Sequence, residues 1–334
     1  MLSKKEEKQG GGRLRTKRVT ALVFAAILSA SLLVGCAPPA KEAAEEQVVT
    51  PTRIVVADAK TTHHLNLYTA LEEGLFEKYG LDVEIIEVED NAAARDLVVS
   101  GGADVFWTCP TVAIAAIANG APIQTIAQVK KPCTSVLLVP QGSDIRTLAD
   151  LDGKNIAGIS PTCEAVISLT TAARDAGAEF NLERLAGGPA ITALEGGSVD
   201  GAILEEPHAS IAELAGYQVM FREVSENIPC RTINASNRIL TSNAEALQRF
   251  IEAVNEANEL ILADPVADDI VAIAVKYTGA PEDAIRHGNH LLLFGTQLEV
   301  AGLKALGDEL LANGDIKEHP GDTMFAQAFK GITW

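Results

Sequence analysis

Apolar and polar residues alternate along residues 53–109 as short apolar runs separated by longer amphipathic stretches. The short runs have the length and β-branched content of strands, and the stretches between them space their apolar residues as a helix does. The pattern predicts strands at RIVVADA, DVEIIEVE and ADVFWTC, and helices through LNLYTALEEGLFEKYG and NAAARDLVVSGG. This order favours parallel strands joined by crossover helices.

A second series of the same kind begins near residue 154. Its predicted strands are KNIAGIS, ERLA, VDGAILEE and YQVMFREV, and its predicted helices are EAVISLTTAARDAG and PAITALEGG. The two series share a phrase, because LVVSGGADVFWTCP and ALEGGSVDGAILEEP both run from a leucine through a glycine pair, an aspartate and an apolar strand to a proline. The chain therefore predicts two α/β lobes. The crevice of such sheets lies beyond the carboxyl ends of the strands, where Cys109, Glu205 and Glu206 fall.

The N-terminus has the pattern of an export signal. Residues 1–18 carry seven Lys or Arg and two Glu, and the apolar run VTALVFAAILSASLLVG follows them. This run is too short and too rich in small residues for a stable membrane span. Its end, Leu33-Val34-Gly35-Cys36, resembles the bacterial lipobox, which implies removal of residues 1–35 and lipidation of Cys36. The alternative is an ordinary cleavage site that precedes a cysteine by chance.

Residues 36–52 are rich in Ala, Pro and Glu and lack an apolar period, which predicts a flexible tether. We therefore expect an exported protein, lipid-anchored to the membrane and facing the periplasm or the extracellular space. Residues 1–35 carry a net charge of +5, so their removal changes the formal net charge from −18 to −23. So acidic a chain is not suited to binding nucleic acid.

Four cysteines remain once Cys36 is set aside: Cys109, Cys133, Cys163 and Cys230. In an exported protein, four cysteines can form two disulfides, with three alternative pairings. None of their spacings is that of a CxxC zinc motif. The residue pattern therefore leaves disulfides and free thiols open.

Four phrases carry a resemblance to a known family: LEEGLFEKYGLDVEIIEVED, GGAD at 101–104, DLDGKNIAGIS and VDGAILEEPHA. They resemble the substrate-binding proteins of ABC importers of the nitrate, sulfonate, taurine and pyrimidine-precursor type. The resemblance implies an α/β, two-lobed type II periplasmic-binding-protein fold, with two parallel-rich sheets, flanking helices and a two-strand hinge. It also implies a monomer that binds a small ligand and has the ABC permease and ATPase subunits as partners.

The implied lobes are not contiguous in sequence. Lobe 1 is expected to comprise residues 53–138 and 240–334, and lobe 2 is expected to comprise residues 139–239. The chain is expected to cross between the lobes near 135–140 and again near 236–242. A ligand held between the lobes would close them by hinge motion.

Six segments reach the cleft in proteins that look like this one, and they contribute the candidate ligand-binding residues. Of two neighbouring carboxylates, Glu206 is favoured over Glu205 because it is nearer the following helix. The candidates are Thr62, His63, His64, Asn66, Trp107, Thr108, Cys109, Cys133, Thr134, Ser160, Thr162, Cys163, Glu206, His208, Cys230 and Arg231.

All four mature cysteines lie in these segments, which predicts a site where Cys109, Cys133, Cys163 and Cys230 hold a metal. Thiolates select soft cargo, namely Cu(I), zinc or an iron–sulfur cluster, and imidazoles are alternative ligands. A helix N-terminus at Cys163 and nearby basic residues favour thiolate over thiol. The basic residues are Lys130, Lys131 and Arg231, and the imidazoles are those of His63, His64 and His208. The metal is expected as cargo, and no resident cofactor is predicted.

The alternative places the four cysteines in disulfides and gives the cleft a small sulfonate, organosulfur or pyrimidine-type ligand. The pyrimidine-precursor branch has a contiguous cysteine cluster, which this chain lacks, and includes an enzyme with a lysine-bound pyridoxal cofactor and iron. Because export separates this chain from that cytoplasmic chemistry, we predict that it is not an enzyme. A sensor lobe that reports its ligand to a membrane partner is a further alternative.

Several other polar residues have a structural interpretation. His287 and His290 are expected at a solvated helix end, and His319 in an exposed turn. Asp104 and Asp200 stand at strand starts, where turn or cap roles are expected. We expect none of them to carry out chemistry.

Overall fold

A computed structural model describes residues 51–222 and 229–326 of the chain. These residues form two five-stranded β-sheets with helices packed against them. The predicted signal peptide, the lipidation site Cys36 and most of the tether lie outside the described residues. Within the described ranges, no helix is both long and apolar enough to cross a bilayer.

The first sheet contains four strands that run in one direction and a fifth that runs against them. Its order is β2 (Leu81–Glu87), β1 (Thr52–Asp58), β3 (Val105–Thr108), β10 (Cys230–Ser236) and β4 (Ile123–Lys130). β1 pairs in parallel with β2 and β3, whereas β10 lies antiparallel to β3 and β4. The first three strands are the parallel unit that the apolar pattern predicts.

The second sheet repeats this arrangement. Its order is β7 (Asn181–Arg184), β6 (Asn155–Gly158), β8 (Gly201–Leu204), β5 (Val136–Val139) and β9 (Gln218–Val219). β6 pairs in parallel with β7 and β8, and β5 lies antiparallel to β8 and β9. In both sheets the antiparallel strand is the one that arrives from the other sheet.

The chain passes from the first sheet to the second in residues 131–135, after β4, and among the described residues the second sheet ends with β9 and the first sheet resumes with β10. Both passages precede the predicted crossings, because β5 pairs within the second sheet from Val136 and β10 pairs within the first sheet from Cys230. β10 thus belongs to the first sheet, although residues 139–239 were expected in lobe 2. The limits of the lobes as separate bodies stay a prediction.

Helices connect successive strands and complete each layer. Within the first sheet's N-terminal part they are α1 (Leu65–Glu72), α2 (Leu75–Lys78), α3 (Asn91–Val99) and α4 (Pro110–Ala118). The second sheet carries α5 (Glu164–Asp175), α6 (Gly187–Glu195) and α7 (His208–Leu214). The C-terminal helices are α8 (Asn237–Ser242), α9 (Ala244–Ala263), α10 (Asp268–Thr278), α11 (Glu282–Gly288) and α12 (Val300–Asn313). The helix predicted through LNLYTALEEGLFEKYG is interrupted at Gly74, whose φ of 65° is left-handed.

The two aspartates of the shared phrase have the same role in the two sheets. Asp104 Oδ2 accepts a hydrogen bond from the Val55 amide of β1 at 3.0 Å. Asp200 Oδ2 accepts one from the Asn155 amide of β6 at 2.8 Å. Each carboxylate ties the start of one strand to its parallel neighbour, which agrees with a structural interpretation of both residues.

A close contact joins α11, from the C-terminal part of the chain, to α7 on the second sheet. Gly288 ends α11, and a Cβ atom there would overlap Glu206 Oε2 and Ser210 Oγ. The Glu206 side chain cannot yield easily, because its Oε2 atom accepts hydrogen bonds from both the amide and the hydroxyl of Ser210. Only glycine therefore allows this approach of the two helices.

We expect Gly288→Ala to lower the free energy of unfolding by about 1–3 kcal/mol, the usual range for overpacking a buried contact. Chemical denaturation monitored by circular dichroism would measure the change. Gly295→Ala is the matched control, because a Cβ atom at Gly295 would meet nothing within 4 Å. Equal stability of the two variants would show that α7 and α11 do not pack as described.

Candidate functional site

A cavity of ≈ 350 Å³ lies beyond the carboxyl ends of strands from both sheets. The loops that follow β1 and β2 line one side, and those that follow β6, β7 and β8 line the other. The polar lining residues are Lys60, Thr61, Glu89, Asp90, Asn91, Cys163, Glu205, His208, Arg231 and Thr278. The cavity therefore occupies the place where ligands bind in open α/β sheets.

The loop after β1 is held by a buried hydrogen-bond network. Asp58 Oδ1 lies 2.6 Å from His64 Nδ1, and Asp58 Oδ2 accepts hydrogen bonds from the Tyr68 hydroxyl at 2.6 Å and the Lys60 amide at 3.1 Å. Burial opposes ionisation of Asp58, but the charge and hydrogen bond of His64 and the hydrogen bond of Tyr68 outweigh it, and the pKa of this carboxyl lies below its usual value. The network fixes the loop that presents Lys60 to the cavity.

Two cavity residues have a left-handed backbone, which side chains other than glycine rarely adopt. They are Lys60, with φ 42°, and Arg231, with φ 62°. Such conformations cost on the order of 1 kcal/mol or more and persist where the surroundings impose them. Their occurrence at two lining cations marks the cavity as a site built for binding.

Arg231 is the central charged residue of the site and is only 1% exposed. Its Nη2 atom donates to Glu205 Oε2 at 2.5 Å, and its Nη1 atom lies 3.5 Å from Glu164 Oε1. Nη1 also donates to Cys109 Sγ at 2.7 Å. Burial disfavours the charge, but the surrounding thiols and carboxylates outweigh it, so the pKa of Arg231 lies above its usual value.

The four mature cysteines are free thiols, and all are buried. They lie in two groups that share one carboxylate: the ligand atoms of Cys109, Cys163 and Glu164 are within 4.8 Å of one another, and so are those of Cys133, Cys230 and Glu164. The structure thus brings the predicted cysteines together, but as two pairs on either side of Glu164. None of these four cysteines is in a disulfide, which was the alternative arrangement considered for them.

The expectation that the cysteines are thiolates is not met by two of them, Cys109 and Cys230. The hydrogen bond to Cys163 and burial raise the pKa of Cys109 well above its usual value, against the opposing charge of Arg231. Burial and the hydrogen bond to Cys133 raise the pKa of Cys230 in the same way. Nearby basic residues do not overcome the loss of solvent, so both groups are thiols at neutral pH.

His63 stands between the cavity and the second cysteine pair. Its Nδ1 atom is 3.9 Å from Cys230 Sγ and 3.6 Å from Glu205 Oε2, and its Nε2 atom is 3.2 Å from the Thr134 hydroxyl. Burial, helped by the charges of Lys130 and Arg231, lowers the pKa of His63 well below its usual value. The imidazole is therefore neutral at physiological pH and can act as a ligand.

The structure places these predicted site residues in four positions. Cys163, His208 and Arg231 line the cavity, and Cys109, Cys133, Cys230, His63 and Thr134 lie in the buried cluster of contacts behind it. Ser160 and Thr162 bond to each other through their hydroxyls at 2.9 Å, just before α5. Thr62, His64, Asn66, Trp107 and Thr108 are buried in the first-sheet lobe and do not line the cavity.

Asn66 and Trp107 have packing roles instead. Asn66 Nδ2 donates to Asn258 Oδ1 of α9 at 3.0 Å. The Trp107 ring lies edge-on to Phe250 of α9, at a centroid distance of 5.8 Å. Both side chains point to the C-terminal helices rather than to the cavity, because α9 covers this face of the first sheet.

The choice of Glu206 over Glu205 as the cleft carboxylate is wrong. Glu205 lines the cavity and binds Arg231, whereas Glu206 is turned towards α7 and bonds to Ser210. Burial raises the pKa of Glu206 against the hydrogen bonds from Ser210. Successive side chains in an extended segment point to opposite sides, so only one of the two could face the cavity.

The candidate list left out Glu164, Lys60 and Glu205, although the crevice argument had placed Glu205 at the end of its strand. Glu164 is almost fully buried and belongs to both cysteine groups. It was left out although it directly follows the predicted Cys163 in sequence. The signal for Glu164 was available, since an acidic residue in the first turn of a helix beside a cysteine can join a common ligand set. Nothing local in sequence marks Lys60, whose role follows from the turn that the Asp58 network imposes.

Comparison with known proteins identifies two kinds of relatives. A protein from Aspergillus parasiticus, named 4-amino-5-hydroxymethyl-2-methylpyrimidine phosphate synthase, is 24% identical over 224 residues. A protein of the same name from Saccharomyces cerevisiae is 25% identical over 225 residues. Each match covers 62% of this chain and 65% of the relative, so the chain spans less than two thirds of these proteins.

The names of these relatives are those of an enzyme, which overturns the prediction that the chain is not an enzyme. That prediction relied on export and on the missing contiguous cysteine cluster.

Among solved structures, the periplasmic aliphatic sulphonate binding protein SsuA from Escherichia coli superposes with a TM-score of 0.71 at 21% identity. The alignment covers 80% of this chain and 90% of that protein. The two-lobed α/β periplasmic-binding-protein fold is confirmed by this likeness. A family model described as NMT1/THI5 like matches residues 61–268. Because this match covers 208 of the 334 residues, more than half of the chain, the chain belongs to the NMT1/THI5-like family.

Proposed function

We propose that this protein is a lipid-anchored, extracytoplasmic solute-binding protein that captures a small ligand between its two lobes and delivers it to an ABC importer. The observation that carries the proposal is the ≈ 350 Å³ cavity, which receives residues from both sheets. Its volume falls in the range of small-molecule sites. The basic and apolar N-terminus with its lipobox-like end at Cys36 supports export and anchoring.

The charges of the cavity indicate what kind of ligand fits. Both lining cations are already paired, since Lys60 Nζ lies 2.5 Å from Glu87 Oε2 and Arg231 Nη2 lies 2.5 Å from Glu205 Oε2. A sulfonate would have to break one of these pairs and would face the remaining carboxylates. An anionic ligand is therefore disfavoured by both desolvation and repulsion.

The acidic residues of the cavity favour a ligand that donates hydrogen bonds or carries positive charge. Glu89 and Asp90 line the cavity opposite Glu205, and the Asp90 side chain also caps α3 through Ala93 N at 2.8 Å. An amino-substituted pyrimidine offers donors to such carboxylates, and the enzyme relatives are named for an aminopyrimidine product. We therefore propose a pyrimidine-type ligand for this cavity.

The predicted metal-containing cargo stays a prediction. Cys163 lines the cavity and lies within 4.8 Å of Cys109 and Glu164. The Arg231 guanidinium, however, contacts both Cys109 and Glu164. Because the guanidinium is hydrogen-bonded to the Cys109 sulfur itself, a cation at this group would require the Arg231 side chain to leave Cys109.

We expect 4-amino-5-hydroxymethyl-2-methylpyrimidine to bind the purified, reduced protein, and Glu205→Gln to weaken that binding about 10- to 100-fold, the range for losing a charged hydrogen bond. Isothermal titration calorimetry would give both dissociation constants. Glu183→Gln is the matched control, because Glu183 is exposed on β7 and does not line the cavity. Binding of an alkanesulfonate with no binding of the pyrimidine would contradict the proposed ligand, and binding of neither would contradict the cavity as the site.

A further inference from the structure

A second potential ligand site lies behind the cavity, at the passage between the sheets. Cys133 belongs to the segment from β4 to β5, Cys230 begins β10, and Glu164 begins α5. Their ligand atoms all lie within 4.8 Å of one another, and Cys230 Sγ is 3.7 Å from Glu164 Oε1. None of these three residues lines the ≈ 350 Å³ cavity.

The Glu164 carboxylate does not form its full set of hydrogen bonds. It is 1% exposed, and its Oε2 atom has no hydrogen-bond partner among the described residues. Its Oε1 atom makes only long contacts, at 3.5 Å to Arg231 Nη1 and 3.7 Å to Cys230 Sγ. A buried carboxylate oxygen without a partner is rare and destabilising, and it indicates a missing cation or donor.

An imidazole nitrogen lies within reach of the same point. His63 Nδ1 is 3.9 Å from Cys230 Sγ, and its Nε2 atom is 3.2 Å from the Thr134 hydroxyl. Metal-bound histidines commonly have their second nitrogen oriented by such a polar partner. The ligand atoms of a tetrahedral zinc ion lie about 3.3–3.8 Å apart, given metal–ligand bonds of about 2.0–2.3 Å. The separations from Cys230 Sγ to Glu164 Oε1, 3.7 Å, and to His63 Nδ1, 3.9 Å, are close to this range. His63 does not lie within 4.8 Å of all three other ligand atoms, so its ring would have to move towards Cys133 and Glu164 to complete the site.

We propose that Cys133, Cys230, Glu164 and His63 bind one zinc-class divalent metal ion behind the ligand cavity. Two sulfurs, one nitrogen and one oxygen form a mixed donor set that suits tetrahedral zinc, whereas an iron–sulfur cluster generally needs more thiolates and Cu(I) favours softer donors. With both thiols deprotonated, the bound centre would carry a net charge of −1. Lys130 pairs with Cys230 across β4 and β10, and Arg231 follows in sequence, so two buried cations balance that charge.

The other two cysteines are excluded from this centre by their own contacts. Cys109 Sγ accepts a hydrogen bond from Arg231 Nη1 at 2.7 Å, and Cys163 faces the cavity. The four thiols therefore divide into a pair for the metal and a second pair, of which Cys109 contacts Arg231 and Cys163 lines the cavity.

Cys230 and His63 belong to the first sheet and the loop after β1, Glu164 begins α5 of the second sheet's layer, and Cys133 lies in the segment between them. The ion would therefore join the two layers where the chain passes between them.

The test is a zinc titration of the purified, reduced and metal-free protein against a chromophoric chelator. We expect one zinc ion per chain, and a loss of affinity of at least about 100-fold in Cys133→Ser and in Cys230→Ser, since each removes a thiolate ligand. His63→Ala should weaken binding about 10- to 100-fold. Cys109→Ser is the matched control, because it removes one buried thiol and should leave the affinity within about 3-fold of the parent.

A second measurement needs no variant and so does not depend on variants folding. X-ray absorption of the zinc-loaded parent should show two sulfur and two nitrogen or oxygen neighbours. Four sulfur neighbours, or equal losses of affinity in Cys109→Ser and Cys230→Ser, would overturn the proposal in favour of a single four-thiolate site. Failure of the parent to bind zinc stoichiometrically would overturn it outright. Pyrimidine binding is measured separately on the metal-free protein. Either the pyrimidine proposal or the zinc proposal can therefore be contradicted without the other.

Discussion

Arg231→Met is expected to lower the free energy of unfolding by about 3–5 kcal/mol, because it removes one partner from a buried ion network. Glu164 and Glu205 would lose their shared cation, and Cys109 would lose the donor to its sulfur. Methionine fills much of the same volume, so the change measures mainly the lost charge. Ligand binding should be lost with it, since Arg231 lines the cavity and positions Glu205.

Chemical denaturation of the reduced protein at neutral pH would measure this effect. Arg238→Met is the matched control: Arg238 pairs with Asp104 at 2.7 Å but its side chain is 61% exposed, and such pairs contribute about 1 kcal/mol or less. Adding Glu164→Gln to Arg231→Met should recover part of the loss, because it removes an uncompensated buried charge. Similar losses in Arg231→Met and Arg238→Met would show that Arg231 is not buried in an ion network.

Asp58→Asn is expected to lower the free energy of unfolding by about 2–4 kcal/mol at pH 7, because it weakens a buried charged hydrogen-bond network. Asp58 is fully buried and accepts from His64, Tyr68 and the Lys60 amide. The carboxamide carries no charge to pair with His64 and places an NH₂ group where an acceptor is needed. The loop that carries Lys60 into the cavity should loosen as a result.

The same substitution has a pH signature. The folded-state pKa of Asp58 lies below its unfolded value of about 3.9, so the stabilisation is fully present above that value and is lost as the pH falls through the folded pKa. The difference in stability between parent and variant should therefore be constant near neutral pH and shrink below about pH 4. Denaturation curves from pH 7 to pH 3 would show it.

Asp175→Asn provides the control for Asp58→Asn, because Asp175 is exposed at the end of α5. Its effect should stay within about 0.5 kcal/mol at every pH. A loss in Asp58→Asn that does not change below pH 4 would contradict the ionised state of Asp58 in the folded protein.

Local sequence patterns predicted most of the architecture. Apolar runs separated by helical periods predicted the central strands β3 and β8, because burial on both faces demands continuous apolar strands. The edge strand β7 is mostly exposed and has a weaker apolar pattern. The shared phrase around Asp104 and Asp200 marked equivalent positions in the two sheets. The predicted crossings between the lobes lie several residues after the starts of β5 and β10. The reason is that no local sequence period encodes which sheet a strand joins.

The candidate site was predicted less completely. The segments that hold the four cysteines were identified through the family resemblance, and the structure brings these cysteines close together. Their division into two pairs, the role of Glu164 and the choice of Glu205 over Glu206 depend on side-chain directions at strand ends. The protonation of Cys109 and Cys230 depends on burial, which sequence proximity to Lys130 or Arg231 does not reveal.

The sequence by itself determined the α/β class, the two series of strands, the export signal pattern and the set of cysteines in the cleft segments. These properties follow from hydrophobic period, composition and residue order, which are local. Only the tertiary structure decided that Arg231 is shared between Cys109, Glu164 and Glu205, and that Glu164 lies between two thiol pairs. Such contacts join residues up to 122 positions apart, and their energies depend on distance and exclusion of water, which exist only once the chain has folded.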